Sequence, residues 1–157
     1  MSVPPRDPVS APGDSTYFVT ANTWEKRALF LAEPFAELLI DTLFSYRDKG
    51  DYKLHAFVVM PDHLHALISP RVTLEKAMQL IKGGYSYRVK KELRAGTEIW
   101  QREYGDHRIR DASDYRLHEG YIHRNPMNRG LVVTPEEYRW SAGGRFEFDE
   151  TPEYFRG

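Results

Sequence analysis

The apolar residues in the first half of the chain repeat with two different spacings. Residues 16–24 are rich in β-branched and aromatic side chains and predict a first strand. From Pro34 to Gly50 the apolar residues recur every three or four positions, which predicts a helix that begins at a proline and ends at a glycine. The runs 52–60 and 63–70 are apolar or alternating and are separated by two turn residues, so they predict an antiparallel hairpin.

The pattern continues with a long helix and a further strand. Residues 73–94 place their apolar side chains on one side, which predicts a helix with Gly83 and Gly84 as a weak point or a site of close approach. Residues 97–111 contain Ile, Trp, Tyr and Arg and predict an extended strand that is interrupted at Gly105.

A last helix is predicted to begin at Ser113, a favourable N-cap, and to end near Asn125, because Pro126 disfavours helical geometry in the residue before it. The order strand, helix, strand, strand, helix, strand predicts an α+β fold of the ferredoxin-like (RRM-like) type. In this fold an antiparallel sheet carries its helices on one face, and we expect the additional C-terminal helix to pack beside that unit.

Length and composition favour one folded domain. The chain has 157 residues, of which 41% are hydrophobic and 29% charged, a globular balance. Cysteine is absent, which excludes disulfides, thiolate zinc sites and cysteine nucleophiles and leaves any metal to His, carboxylate or amide ligands. No apolar run approaches the roughly 18 residues of a membrane span, so a cytoplasmic protein with no membrane partner is expected. We expect a flexible arm at 1–14, one domain at 15–145 and an acidic tail at 146–157.

The formal net charge of −1 hides an uneven distribution of charge along the chain. Residues 76–102 contain seven basic and two acidic residues, whereas residues 132–157 contain six acidic and three basic ones. The middle of the chain could therefore face a polyanion and the C-terminal stretch could not. A solvated helix face is the alternative interpretation of the basic stretch.

His63 and His65 bracket Leu64 in a predicted strand, so both imidazoles lie on one face of the sheet. Their Cα atoms should be about 6.6 Å apart, a separation from which two imidazoles can share one divalent ion. A surface pair on an edge strand is the alternative.

Tyr121 and Asn125 are four residues apart in the last predicted helix, so their side chains differ by about 40° in direction and can address the same point. The amide oxygen of Asn125 is a hard neutral acceptor that suits Mg²⁺ or Mn²⁺ and would complete a three-ligand site with two imidazoles. The alternative is a tyrosine packed on the core and an asparagine that caps the helix end.

Four segments in this order resemble the REP-associated tyrosine transposases, members of the single-tyrosine HUH (IS200-like) transposase family. They are VVMPDHLHALI (58–68), IWQREYGDHRIRD (99–111), DYRLHEGYIHRNPMNRG (114–130) and YRWSA (138–142). The similarity covers about residues 16–142, and its main departure is Met-Asn-Arg after the proline of the third segment, where the family more often has Val-Lys.

The resemblance implies a role for each matching residue. His63 and His65 would bind the catalytic divalent metal, Asn125 would be its third ligand and Tyr121 would be the nucleophile. The implied substrate is single-stranded DNA folded into hairpins of repetitive extragenic palindromes. The implied reaction joins the tyrosine to a 5′-phosphate and releases a 3′-OH. The host would be a bacterium, and both a homodimer and a monomer stay open.

Contacts to DNA are expected from the basic residues of the long helix and from two arginines near the last helix. These residues are Lys82, Arg88, Lys90, Lys91, Arg94, Arg110 and Arg124. Tyr85, Tyr87 or Trp100 could stack on unpaired bases, and Tyr85 and Tyr87 are also rival nucleophiles. Two other functions stay open: a non-catalytic single-stranded nucleic-acid-binding module of the same fold and a His-based metal hydrolase.

Overall fold

The computed structural model describes residues 15–96, 98–141 and 144–156. Four strands form one antiparallel sheet in the order β2-β3-β1-β4. Their bounds are β1 Tyr17–Asn22, β2 Tyr52–Met60, β3 His63–Pro70 and β4 Gly105–Arg108. This topology confirms the predicted α+β, ferredoxin-like fold, and the β2–β3 hairpin has the predicted limits. The arm predicted at 1–14 lies outside the described residues.

In the described part of the chain, three α-helices accompany the sheet: α1 Glu33–Asp48, α2 Leu74–Arg88 and α3 Ala112–Asn128. Pro34 lies in the first turn of α1, and Gly50 follows that helix with a φ of +88°, a conformation that glycine adopts without strain. Within the described ranges, none of these helices is long and apolar enough to cross a membrane.

Both ends of α3 differ from the prediction. The N-cap is Asp111, whose Oδ1 accepts the Asp114 N–H at 2.8 Å, so Ser113 lies inside the helix. The helix then continues past Pro126 to Asn128, and the Arg129 N–H donates to the Asn125 carbonyl at 3.0 Å. Pro126 has no backbone N–H, so α3 lacks one of its backbone hydrogen bonds there. The helix tolerates this loss because it falls in the last turn.

The predicted long helix has two parts. A π-helical turn, Val89–Leu93, follows α2, and Arg94 ends it in the left-handed region with a φ of 54°. Gly84 is a site of close approach, because a Cβ there would collide with the ring of Tyr46 on α1, whereas a Cβ on Gly83 would meet open space.

The predicted strand at 97–111 was too long. Among residues 98–111, only Gly105–Arg108 pairs with β1 as a strand, and Trp100 forms a single bridge to Thr23. The ring of Trp100 packs instead against Phe30 and Tyr85, with ring centroids 5.8 and 5.6 Å away. Core packing of this aromatic side chain therefore holds residues 98–104 without a continuous strand ladder.

The sheet is covered on both faces. On one face α1 and α2 pack against Val19, Ala21, Leu64, Ala66 and Ile68. On the other face α3 contributes Tyr115 and Ile122 to a second cluster with Ala56, Val58, Met60, Leu67 and Ile109. The C-terminal helix therefore lies across the sheet from the other two, and every residue of β3 is buried.

The acidic C-terminal segment packs along β2. The Asp149 N–H donates to the Leu54 carbonyl at 2.8 Å, and the Leu54 N–H donates to Asp149 Oδ2 at 2.7 Å. Arg47 of α1 holds the same carboxylate at 2.8 Å. The ring of Phe155 stacks on Tyr115 at 5.5 Å. These contacts anchor the part of the predicted tail that the structure describes.

Candidate active site between the sheet and α3

His63 and His65 project from β3 toward α3. Their ring centroids are 4.6 Å apart and the rings are inclined by 72°. Because β3 lies between β2 and β1, the pair is not on an edge strand. The two residues are only 4% and 7% exposed. The structure therefore brings both imidazoles together in a buried position.

The Nδ1 atom of each imidazole has a partner. His63 Nδ1 lies 2.6 Å from Asp62 Oδ1, and His65 Nδ1 lies 2.8 Å from Thr20 Oγ1. A partner on one ring nitrogen fixes the orientation of the ring and directs the other nitrogen, Nε2, as a ligand.

Burial keeps both rings neutral. It lowers the pKa of His63, despite the opposing effect of the Asp62 carboxylate, and it lowers the pKa of His65 to about 3. A neutral imidazole has the lone pair that metal binding requires.

Tyr121 and Asn125 lie one helical turn apart on the same side of α3. The Tyr121 ring lies edge-on to His65 with centroids 5.4 Å apart, and it contacts Phe18 at 5.9 Å. Tyr121 is 40% exposed, whereas Asn125 is 2% exposed. Asn125 Oδ1 has no hydrogen-bond partner within the described ranges. The tyrosine is accessible to a ligand, and the amide oxygen is buried and unsatisfied.

This arrangement fits a divalent metal ion. A buried acceptor without a donor costs about 1–3 kcal/mol, and a cation would satisfy it. Two neutral imidazoles and one amide oxygen are a suitable ligand set for a divalent metal that keeps open positions. The residues that would hold the ion are His63, His65 and Asn125.

A second group of possible ligands lies nearby. One ligand atom each from His107, Asp114 and His118 lies within 4.8 Å of the other two, so by distance this group could also hold a metal ion. Its two rings are stacked, with centroids 4.6 Å apart and planes inclined by 20°. Sequence reasoning missed this group, although Asp114 and His118 are four residues apart in the helix that carries Tyr121.

A model of the IS200-like transposases matches residues 15–125. The chain belongs to this family. It is therefore a member of an enzyme class, the HUH single-tyrosine transposases, and the resemblance drawn from the sequence is confirmed. Over 130 residues it is 26% identical to the REP-associated tyrosine transposase of Escherichia coli K12, a match covering 81% of this chain and 75% of the relative. A solved REP-associated tyrosine transposase bound to a REP hairpin superposes with a TM-score of 0.75 at 23% identity, covering 98% of this chain and 93% of the other.

The IS200-like transposase has two cations beside its histidine pair that the sequence did not reveal. Lys26 Nζ donates to Asn22 Oδ1 at 2.8 Å, and Asn22 is paired with His63 across β1 and β3. Lys26 and the preceding Glu25 have φ values of 54° and 55°, which are uncommon for residues other than glycine. The second cation is Arg129, which is the C-cap residue of α3. After burial, the positive charges of Lys26 and Arg129 are among the causes that lower the pKa of His65.

Two of the residues expected to contact DNA are engaged within the protein. Lys82 Nζ donates to the Gln101 carbonyl at 2.8 Å and to two neighbouring carbonyls, so it holds the loop before β4. Arg88 pairs with Asp41 at 2.8 Å and with Glu92 at 2.6 Å. Neither cation is directed outward for a phosphate.

The other expected DNA contacts are divided between the two faces of the sheet. Lys90, Lys91 and Arg94 are exposed on the turn that extends α2, on the side opposite Tyr121. Arg110 and Arg124 are exposed at the start of α3 and along it. The structure therefore brings only these two arginines of the predicted set to the side of the site.

The aromatic residues considered for base stacking also differ in exposure. Tyr85 is buried and its hydroxyl donates to the Phe35 carbonyl at 2.8 Å, so it is neither a stacking platform nor an accessible nucleophile. Trp100 is buried and donates to the Lys82 carbonyl at 3.1 Å. Tyr87 is exposed.

Proposed function

We propose that this protein is a metal-dependent single-stranded DNA transposase or endonuclease that cleaves and rejoins DNA near hairpins with Tyr121 as its nucleophile. One observation carries this proposal. The ring centroid of the accessible Tyr121 lies 5.4 Å from that of the buried, neutral His65. Tyr121 also lies one helical turn before Asn125, whose buried amide oxygen has no donor among the described residues. A nucleophile and a metal-ligand set thus occur together, which a module that only binds nucleic acid does not need.

Each side chain has a separate task in this proposal. His63, His65 and Asn125 would hold Mg²⁺ or Mn²⁺, and Asp62 and Thr20 would orient the two imidazoles. When bound, the ion supplies electrostatic stabilisation of the charge that develops on a phosphodiester during substitution. Tyr121 supplies the attacking oxygen from an exposed position on α3.

The chemical step conserves the energy of the bond that it breaks. The phenolic oxygen of Tyr121 forms a bond to phosphorus while the bond from phosphorus to the 3′-oxygen breaks, which leaves a 5′-phosphotyrosine and a 3′-OH. A second 3′-OH can then attack the phosphotyrosine, release the phenol and join the strands. Cleavage and rejoining therefore need no nucleotide cofactor.

The substrate is proposed to be single-stranded DNA that contains hairpins, and the site of action the bacterial cytoplasm. The similar solved transposase is bound to a REP hairpin, and the relative from Escherichia coli is bacterial. On this chain, the cations on the side of Tyr121 are suited to phosphates. They are Lys26, Arg110, Arg124 and Arg129.

The test is the capture of the covalent intermediate. Single-stranded hairpin DNA labelled at its 3′ end, which stays with the fragment joined to the tyrosine, is incubated with the protein and Mn²⁺ and then separated under denaturing conditions. The wild-type protein and the Tyr87→Phe control should form a labelled adduct, and Tyr121→Phe should bind the DNA without forming one. EDTA should prevent the adduct. Hairpin binding without an adduct in any variant would favour the non-catalytic binding module instead.

A further inference from the structure

One stripe along α3 contains four polar side chains. Asp114, His118, Tyr121 and Asn125 follow one another at intervals of four, three and four residues, so all four lie on the same side of the helix. The proposed function uses Tyr121 and Asn125. It leaves the other two residues of the stripe, Asp114 and His118, without a role.

Asp114 orients the ring of His118. His118 Nδ1 lies 3.0 Å from Asp114 Oδ1 and 2.9 Å from the Asp114 carbonyl oxygen. Both partners are acceptors, so Nδ1 carries the proton and the lone pair of the neutral ring is on Nε2. This is the arrangement in which a carboxylate prepares a histidine to accept a proton.

Asp114 is itself fixed by two further donors. His107 Nε2 lies 2.8 Å from Asp114 Oδ2, and the backbone N–H of Arg110 donates to the same oxygen at 3.0 Å. Burial raises the pKa of Asp114, but the hydrogen bonds from His107 and Arg110 outweigh this effect and lower it. The carboxylate therefore stays ionised and keeps His118 in one orientation.

His118 lies about one helical turn before Tyr121 on the same side of α3. The two residues are three positions apart on α3, and side chains on a helix lean toward its N-terminus, so Tyr121 leans over the turn that carries His118. Both rings also contact Phe18 of β1, with centroids 4.9 Å away for His118 and 5.9 Å away for Tyr121. Phe18 therefore packs against both rings.

We propose that His118 is the proton acceptor for Tyr121 and that Asp114 is its positioning residue, an inference that rests on the proposed function. The phenolic proton passes to His118 Nε2, directly or through one water molecule, while the phenolic oxygen bonds to phosphorus. The bond to the 3′-oxygen breaks, and that oxygen takes a proton from water. In the rejoining step the protonated His118 returns its proton to the departing phenolic oxygen.

The ring orientation favours this role over a shared metal ion. The lone pairs of an imidazole lie in the plane of its ring, so two rings that share an ion need planes that meet near it. The planes of His107 and His118 are inclined by only 20° at a centroid separation of 4.6 Å, whereas those of His63 and His65 are inclined by 72°. The nearly parallel pair instead directs one nitrogen of each ring at the two oxygens of Asp114.

The proposal predicts an acid limb in the pH profile of cleavage, since only neutral His118 accepts a proton. Two titratable groups contact His118 among the described residues, Asp114 on its own helix and His107 on β4, and β1 presents the uncharged ring of Phe18. The rate should therefore fall at acid pH in the wild-type protein.

The experiment measures single-turnover adduct formation at saturating hairpin DNA and Mn²⁺, from pH 5.5 to 9. His118→Ala should lose about 10²–10⁴-fold in rate without a change in DNA affinity, and it should lose the acid limb. Added imidazole should restore part of its rate. Asp114→Asn should reduce the rate less and move the acid limb. His123→Gln, on the same helix but directed toward Phe148, is the matched control and should retain the wild-type rate.

The results separate this inference from the proposed function. If the wild-type protein forms an adduct through Tyr121 and His118→Ala matches its rate within threefold, the inference is overturned and the proposed function stands. An acid limb that persists in His118→Ala also overturns it. Rescue of that variant by excess Mn²⁺ but not by imidazole would assign the group to a metal site. A wild-type protein that forms no adduct contradicts the proposed function itself.

Discussion

Replacing Asn125 by leucine should make the protein more stable and remove its response to metal. The two side chains have the same number of non-hydrogen atoms and a similar shape, so the change keeps the packing at a site that is only 2% exposed. It removes an amide oxygen that has no hydrogen-bond partner in the described part of the chain.

The magnitude follows from the cost of that unsatisfied oxygen. A buried acceptor without a donor costs about 1–3 kcal/mol, so the free energy of unfolding in EDTA should rise by about that amount. For a chain of this length, each kcal/mol corresponds to a rise in Tm of about 2–4 °C. In the wild-type protein a metal at a hundredfold excess over its Kd should add about 2.7 kcal/mol, and Asn125→Leu should lose most of this gain.

Thermal unfolding in EDTA and in Mn²⁺ measures both effects. Asn128→Leu is the matched control, because it makes the same change in helix propensity at an exposed position of α3. The control should shift stability by less than about 0.5 kcal/mol and keep the response to metal. A lower Tm for Asn125→Leu in EDTA, or an undiminished stabilisation by Mn²⁺, would refute the reasoning.

Three further predictions concern packing, pH and DNA. Gly83→Ala should stabilise the protein by up to about 1 kcal/mol through helix propensity, whereas Gly84→Ala should destabilise it because the new Cβ meets the Tyr46 ring; urea unfolding compares the two. Burial lowers the pKa of His55 in the folded protein. As the pH falls below about 6.5, the usual pKa of an unfolded histidine, the unfolded chain therefore binds a proton that the folded chain does not, and the free energy of unfolding decreases. His55→Gln should therefore reduce the pH slope of the free energy of unfolding by up to about 1.4 kcal/mol per unit, and an unchanged slope would contradict this. The slope of log Kd for single-stranded DNA against log salt concentration should decrease by about 0.7 in Lys26→Gln and stay unchanged in Lys90→Gln, which lies on the opposite face. Equal slopes in the two variants would mean that the DNA does not contact Lys26.

Local spacing was sufficient to predict most of the fold. The period of two in residues 52–60 and 63–70 and the turn between them predicted the hairpin limits, since both signals act between near neighbours. The same period placed His63 and His65 on one face. The spacing of four between Tyr121 and Asn125 put them on the same side of α3 for the same reason. The strand predicted at 97–111 was too long, because the packing of Trp100 against α2 is a long-range contact that local propensity does not contain.

Tertiary structure decided which residues share a side of the sheet. The sequence by itself determined that the middle of the chain is basic, but it could not specify that α2 and α3 cover opposite faces. It therefore assigned Lys82 and Arg88 to DNA, although Lys82 holds loop carbonyls and Arg88 pairs with carboxylates. Charge in a sequence records composition, whereas availability to a ligand depends on neighbours that only folding supplies.

The partners of the site residues also came from the tertiary structure. The sequence determined the ligand types and their periodic placement, because these depend on residue identity and on strand and helix geometry. The strand register that pairs Thr20 with His65, and the approach of His107 to the stripe on α3, depend on contacts between distant segments. Such contacts are set by how whole elements bury their apolar faces, so no local pattern around Thr20 or His107 could have revealed them.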